Sequence, residues 1–215
     1  MRPDPLILAF DTSAAHCAAA LLSGDRLLVL RFEAMDKGQA ERLIPLLDEV
    51  LKEAGVTWAD LSALAVGTGP GNFTGVRIAV AAARGLALSL NIPALGVTAL
   101  EARAYGLPRP LAVVEDARRG EVYLQEFAPD ADAARVTTVA TLPFECAFDR
   151  FAGSAAEAAA AATGGTAIPQ PVPMVEAIAR IAATRLDAPQ PRPAPFYLRG
   201  ADAAPPSDPP PVILP

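Results

Sequence analysis

Residues 116–123, "DARRGEVY", place two guanidinium groups side by side in a turn that also holds Asp116 and Glu121. Adjacent arginines such as Arg118 and Arg119 can grip a phosphate or a carboxylate through paired hydrogen bonds. The same residues equally make an exposed turn with local ion pairs, worth under about 1 kcal/mol. A second candidate is Asp11-Thr12-Ser13, a carboxylate and two hydroxyls at the end of the apolar run "LILAF". It looks like the remnant of a phosphate loop, although these three residue types are also good for leaving a strand. The third is "GTGPGNFTGVRIAVAAARGLAL", residues 67–88, where Gly67, Gly69, Gly71 and Gly75 precede a helix almost free of charge. Such a turn can present unpaired helical N–H groups to an anion. Neither a P-loop nor a dinucleotide fingerprint fits, because Gly75 is followed by Val76-Arg77 rather than Lys-Ser and the G-x-G-x-x-G spacing is missing. Thr74 is the expected N-cap.

His16 is the single histidine, so one chain cannot assemble a His-based metal cluster or a histidine relay, and a lone His beside a hairpin reads as surface or packing. Cys17 and Cys146 match no metal or redox spacing. They read as ordinary buried thiols of a reducing compartment.

The elements that must position these groups follow from periodicity and punctuation. A buried strand over 6–10 leads into a hairpin, 17–22 and 26–34, around Ser23-Gly24-Asp25. A helix over 41–55 closes on Gly55. On a helical wheel Leu43, Ile44, Leu46, Leu47, Val50 and Leu51 fall in an arc of about 160°, and Pro45 fits only in a first turn or at a mild kink. Strands over 61–67 and 92–97 bracket a helix from Val76 to Leu90 whose only charges, Arg77 and Arg84, share one stripe. A helix that apolar must be covered on most faces, by the sheet and by another helix or chain. A helix over 98–106 and a strand pair, 111–116 and 121–127, complete the order β-β-β-α-β-α-β-α-β-β, an α/β fold with a mixed sheet. Beyond residue 128 the pattern weakens, with helices over 155–162 and 175–186 assigned to a smaller second lobe. Residues 169–215 hold 13 of the 22 prolines; "FYLRG" (196–200) is expected to dock back on the body.

Composition excludes several classes. A chain of 215 residues, 52% hydrophobic and 20% charged, has a real core. Its net charge of −6 opposes a large nucleic-acid footprint of its own. The first residues lack an uncharged run long enough to span a membrane.

The segments "ILAFDTSAAHCAAALL", "ERLIPLLDEVL", "ALAVGTGPGNFTGVRIAVAAARGLAL", "DARRGEVY" and "FYLRGADA" together resemble the bacterial tRNA threonylcarbamoyladenosine biosynthesis family TsaB, also called YeaZ. The likeness covers most of 6–127 and the C-terminal block. It implies an actin-like ATPase (ASKHA, Hsp70-actin type) α/β fold: two lobes with mixed sheets flanked by helices, divided here as 1–106 and 107–203 with a mobile tail 204–215. It also implies a cytoplasmic, membrane-free, non-catalytic subunit, acting with a TsaD-like catalytic paralogue to place threonylcarbamoyl on N6 of adenosine 37 in tRNAs reading codons that begin with A. A TsaE-like ATPase would join the assembled complex, tRNA would be met mainly through it, and the chain alone would form a homodimer. The implied interface is Leu43, Ile44, Leu47, Val50 and Leu51 on one helix with Val76, Ala79, Val80 and Ala83 on the next. Asp11, Thr12, Ser13, Arg118 and Arg119 are the candidates for a nucleotide or anion, held weakly or only in the complex; no tightly bound cofactor, metal site or catalytic residue is implied. The catalytic paralogue's His-Leu-Glu-Gly-His metal pattern is replaced by "TALEARA", with Ala99 and Arg103 at the ligand positions. Gln39 stands where many members have a histidine. The competing reading is an actin-like small-molecule kinase using Asp11 and the 67–75 loop.

Overall fold

Strand β1 (Leu6–Asp11) is buried on both faces, and its alternation decides which layer each side chain enters. Leu8 and Phe10 join one apolar cluster, Ile7 and Ala9 another. The computed structural model describes residues 4–129 and 133–199; the expected tail 204–215 lies outside them. β2 (His16–Ser23) and β3 (Arg26–Ala34) form an antiparallel meander with β1, while β4 (Ala63–Gly67) and β5 (Ala94–Val97) add in parallel on its other side. The strand order is β3-β2-β1-β4-β5.

Helices α1 (Gln39–Ala54) and α2 (Phe73–Leu90) cover the Leu8/Phe10 face. α1 ends where Gly55, at φ 70°, donates its N–H to the carbonyls of Leu51 and Lys52, a conformation glycine adopts without Cβ strain. It starts two residues earlier than the sequence pattern predicts, so Pro45 lies inside the helix rather than in its first turn. Both Pro45 and Glu41, whose carbonyl loses its partner there, are exposed to water. Arg42 ties α1 to β3, its guanidinium reaching Glu33 at 2.6 and 2.7 Å and Glu49 at 2.6 and 2.7 Å.

The second sheet comprises β6 (Leu111–Asp116), β7 (Glu121–Phe127), β8 (Arg135–Thr138), β9 (Arg150–Ala152) and β10 (Thr166–Ala167), in the order β10-β9-β6-β7-β8. β6, β7 and β8 pair antiparallel, and β9 and β10 add in parallel beyond β6. This is the topology of the first sheet repeated, although no repeat is visible in the residues. α4 (Leu142–Glu145) and α5 (Ala156–Thr163) lie on this second sheet.

One element departs from its expected lobe. α6 (Met174–Ala183) does not join the second sheet; its Val175, Ala177, Ile178, Ala179 and Ala182 pack with Ile7, Ala9, Ala18, Ala65 and Leu95 on the first. The strongly amphipathic "VEAIARIAA" needs a broad apolar surface to cover it, and the short β9 and β10 cannot supply one. α3 (Ala99–Ala104), opened by a Thr98/Glu101 capping box, sits between α6 and the second sheet.

Candidate functional site

The glycine turn and the end of β1 meet directly. A Cβ on Gly67 would lie 1.9 Å from Asp11 Oδ1, one on Gly71 2.4 Å from the Ser13 carbonyl oxygen, and one on Gly75 1.8 Å from that of Thr12. The Thr12 hydroxyl donates to the Gly75 carbonyl at 2.7 Å, and the Asn72 N–H donates to the Ser13 carbonyl at 2.6 Å. The four-residue spacing of these glycines therefore lets one backbone lie against another. The N-cap of α2 is Asn72, whose side-chain oxygen accepts the Gly75 N–H at 2.9 Å, not Thr74. The chain must turn earlier than the hydrophobic pattern indicates to bring Gly75 onto Thr12.

Asp11 is turned into this junction. Its Oδ2 accepts from the Ser13 N–H and hydroxyl at 3.1 and 2.9 Å and meets His16 Nε2 at 2.7 Å. Asp11 is 1% exposed and His16 8%. The Ser13 hydroxyl is bonded to the carboxylate and not to the imidazole, so these three groups do not form a nucleophile and its base. His16, which sequence reasoning treats as surface or packing, is the buried partner of Asp11; a carboxylate at a strand end with a histidine five residues on is the signal that could have paired them.

Arg118 and Arg119 sit at φ 63° and 55°, followed by Gly120 at 80°, three successive left-handed residues, of which the two arginines carry a Cβ strain cost that glycine does not. The turn is held by the Arg118 N–H donating to Asp116 Oδ1 at 2.8 Å, and by Ala117 and Glu121 N–H bonds to the Glu121 and Arg118 carbonyls at 2.9 and 3.0 Å. The Glu121 carboxylate pairs with Arg199. Ser13, His16, Arg118 and Arg119 all line one cleft of about 2040 Å³, which extends past Phe73, Arg77, Arg103, Tyr123 and Tyr197. Asp11 and Thr12 lie behind its wall.

The α1 and α2 residues expected at an interface require a correction. Leu43, Leu47, Val50, Leu51, Val76, Ala79, Val80 and Ala83 are each no more than 2% exposed, all in the core against the sheet; Ile44 alone of the nine is open, at 40%. The apolar arc of α1 is satisfied within the chain. What α2 leaves outward is Phe73, Thr74, Arg77, Ala81, Gly85, Leu88 and Ser89, with Ile78 half-buried; Thr74, Ile78, Ala81, Gly85 and Leu88 form an uncharged row on that face, and Arg77 flanks it. Helix length and composition alone would let α2 cross a membrane, with mean hydropathy 1.4 and 28% of it buried. Its two arginines serve the C-terminal strap: Arg84 Nε donates to the Pro193 carbonyl at 2.6 Å and Arg77 Nε to the Tyr197 hydroxyl at 2.7 Å. The Phe196 N–H donates to the Thr68 carbonyl at 2.8 Å, and Phe196 and Leu198 pack on the second sheet, so the described part of "FYLRG" does return to the body.

The family model for TsaD, tRNA N6-adenosine threonylcarbamoyltransferase, matches residues 33–187. The Escherichia coli tRNA threonylcarbamoyladenosine biosynthesis protein TsaB is 40% identical over 130 residues, 58% of this chain and 55% of that protein. YeaZ from Pseudomonas aeruginosa superposes with a TM-score of 0.71 at 29% identity, covering 90% of this chain and 100% of that one. The chain belongs to the TsaD family, in its TsaB/YeaZ group. It spans about half the length of the TsaB relatives it matches, 52 to 60% of the first three. A more distant likeness, to the (R)-2-hydroxyglutaryl-CoA dehydratase component A of Acidaminococcus fermentans, covers 86% of this chain and 100% of that one with a TM-score of 0.53 at 9% identity, and concerns the actin-like fold alone.

Within this TsaB/YeaZ-type frame, "TALEARA" has structural work. Glu101 caps α3 through the Thr98 N–H and hydroxyl at 2.9 and 3.0 Å and pairs with Arg185 at 2.6 Å. Burial opposes its charge, but the Thr98 and Arg185 hydrogen bonds outweigh it and hold the carboxyl below its ordinary range. Arg103 reaches Glu115 at 2.7 Å and Gln170 at 2.8 Å, tying α3 to the second sheet. Gln39 donates to the Met35 carbonyl at 3.0 Å.

Proposed function

We propose that this chain is the non-catalytic partner of a TsaD-type catalytic paralogue in forming N6-threonylcarbamoyladenosine at position 37 of tRNAs that read codons beginning with A, in the cytoplasm. The observation that carries this reading is the outward stripe of α2. A row of Thr74, Ile78, Ala81, Gly85 and Leu88, with Ile44 and Pro45 exposed on the neighbouring α1, offers an uncharged strip of helix surface flanked by Arg77. Small residues at Ala81 and Gly85 let a facing helix approach closely, and an apolar face of this kind is what a helical partner buries. The same face would join two copies of the chain when the paralogue is missing. A TsaE-like ATPase, tRNA and any nucleotide would be engaged in the assembled complex.

The kinase reading is weaker because the groups it needs are already used. The Asp11 carboxylate is enclosed by Ser13 and His16, and the places of the missing Cβ atoms at Gly67, Gly71 and Gly75 are occupied by residues 11–13 of the same chain.

The test is a pair of substitutions on one helix. Ala81→Glu leaves a carboxylate in water in the free chain but strands it in the interface, so the folded variant should fail to co-elute with the paralogue and tRNA modification should stop. Ala83→Glu buries the same charge in the core and should unfold the chain. Undiminished co-elution of Ala81→Glu would place the partner surface elsewhere.

A further inference from the structure

The cleft between the sheets differs in charge from the rest of the molecule. Among the described residues its lining carries five arginines, at 77, 103, 118, 119 and 199, against the acids Asp36, Glu115 and Asp116. The chain as a whole has a net charge of −6. Arg103 and Arg199 are neutralised by Glu115 and Glu121, whereas Arg77 and Arg118 make no ion pair among the described residues. Aromatic rings gather at the same place. Phe73 and Tyr197 stand 5.6 Å apart at the rim, 50% and 46% exposed, and the Arg77 guanidinium lies 3.5 Å over the Phe73 ring.

Exposed rings fixed by a cation, in one cleft with the further cations of the Arg118 turn, form the arrangement that unpaired bases and their phosphates recognise. A volume of about 2040 Å³ exceeds the roughly 300–1,000 Å³ of a small-molecule pocket, and the rings are about half exposed rather than buried in it. We infer that the Phe73–Tyr197 rim is a stacking site for an unpaired base of single-stranded RNA, with Arg77 and Arg118 facing its phosphates. The choice of RNA rests on the tRNA-modifying role proposed above. The acidic remainder of the chain keeps this contact weak in isolation, so it orients an RNA held mainly by the rest of the assembly.

The probe is a fluorescein-labelled unpaired RNA of about 12 nucleotides, a length within the range a single-strand groove holds, titrated by anisotropy with the full-length chain. Co-elution with the TsaD-type paralogue is measured in parallel. Phe73→Ala and Tyr197→Ala should each weaken binding about 5- to 150-fold, the usual loss for one stacked base. Tyr197→Phe, which keeps the ring, should retain most of the affinity. Arg118→Ala should lower the slope of log K against log salt by about 0.7, one phosphate contact to a single strand. Each folded variant should still co-elute with the paralogue, which separates this inference from the partner reading. Wild-type affinity in both ring variants, equal binding of a duplex of the same length, full competition by adenosine monophosphate at its own dissociation constant, or loss of co-elution in the ring variants would each overturn it.

Discussion

Replacing Gly75 with alanine should destabilise the chain, although the same change elsewhere on α2 should stabilise it. At Gly75 the new methyl would stand 1.8 Å from the Thr12 carbonyl oxygen, where ordinary contact begins at 3.4 Å. The obstacle is backbone, so the end of β1 must move away. That movement breaks the 2.7 Å bond from the Thr12 hydroxyl to the Gly75 carbonyl and stretches the 2.6 Å bond from the Asn72 N–H to Ser13. Overpacking of this kind costs about 1–3 kcal/mol, and two weakened hydrogen bonds add about 0.5–1.5 kcal/mol each. The gain in helix propensity returns only about 0.5–1 kcal/mol. The net loss is therefore about 1–5.5 kcal/mol, a large share of the roughly 5–15 kcal/mol by which a domain is stable. Gly85 lies on the same helix with nothing within 4 Å of its missing Cβ, so Gly85→Ala should gain about 0.5–1 kcal/mol. Urea unfolding followed by far-UV circular dichroism measures both midpoints. A Gly75→Ala midpoint at or above wild type would show that close approach at residues 11–13 is not why the glycine is there, and a Gly85→Ala midpoint below wild type would refute the open space assigned to Gly85.

Burial, with Glu33 adding its charge, pushes the Cys17 thiol up to about 11; Ellman's reagent at pH 8 should leave it unreacted until urea unfolds the chain, while half-buried Cys146 reacts sooner. Since the folded value is the higher one, the Cys17 contribution to stability is complete below the unfolded thiol's pKa of about 8.5 and falls as pH rises toward the folded value, a decline that Cys17→Ala should remove. Glu101 has the opposite sign: its folded carboxyl is held down, so its contribution is present above the unfolded value of about 4.3 and is lost as pH falls through the folded one. Glu101→Gln should lower the urea midpoint at pH 7 and flatten its acid limb.

The first sheet was legible as buried strands because β1, β2 and β4 are continuous apolar runs, which only a sheet covered on both faces accommodates; the layer that each side chain enters was not. The α1 arc was legible too, but its destination was not. Periodicity says that Leu43, Leu47 and Val50 need cover; it does not say whether a sheet of the same chain or a foreign helix provides it. The same gap explains α6, whose amphipathic pattern is plain and whose partner lies more than 75 residues away in the chain, at Leu95 and earlier. At the cleft, the arginine pair was visible as a motif. The contact of Tyr197 with Arg77 spans 120 residues and leaves no local signal, whereas the pairing of Asp11 with His16 across the β1–β2 turn had one in its five-residue spacing.

The placement of α6 bears on synthesis. The last strand of the first sheet ends at Val97 and the helix that covers its second face ends at Ala183. At about 5–20 residues per second, the ribosome needs about 4–17 s to make the intervening stretch of about 86 residues. During that interval Ile7, Ala9, Ala65 and Leu95 belong to a nascent sheet with one side bare, and a further stretch of chain must leave the exit tunnel before α6 can close it. A growing chain in this condition is a substrate for hydrophobic holdases, and a pause between residues 97 and 183 would prolong the exposure, whereas one past 183 with α6 already outside the tunnel would not.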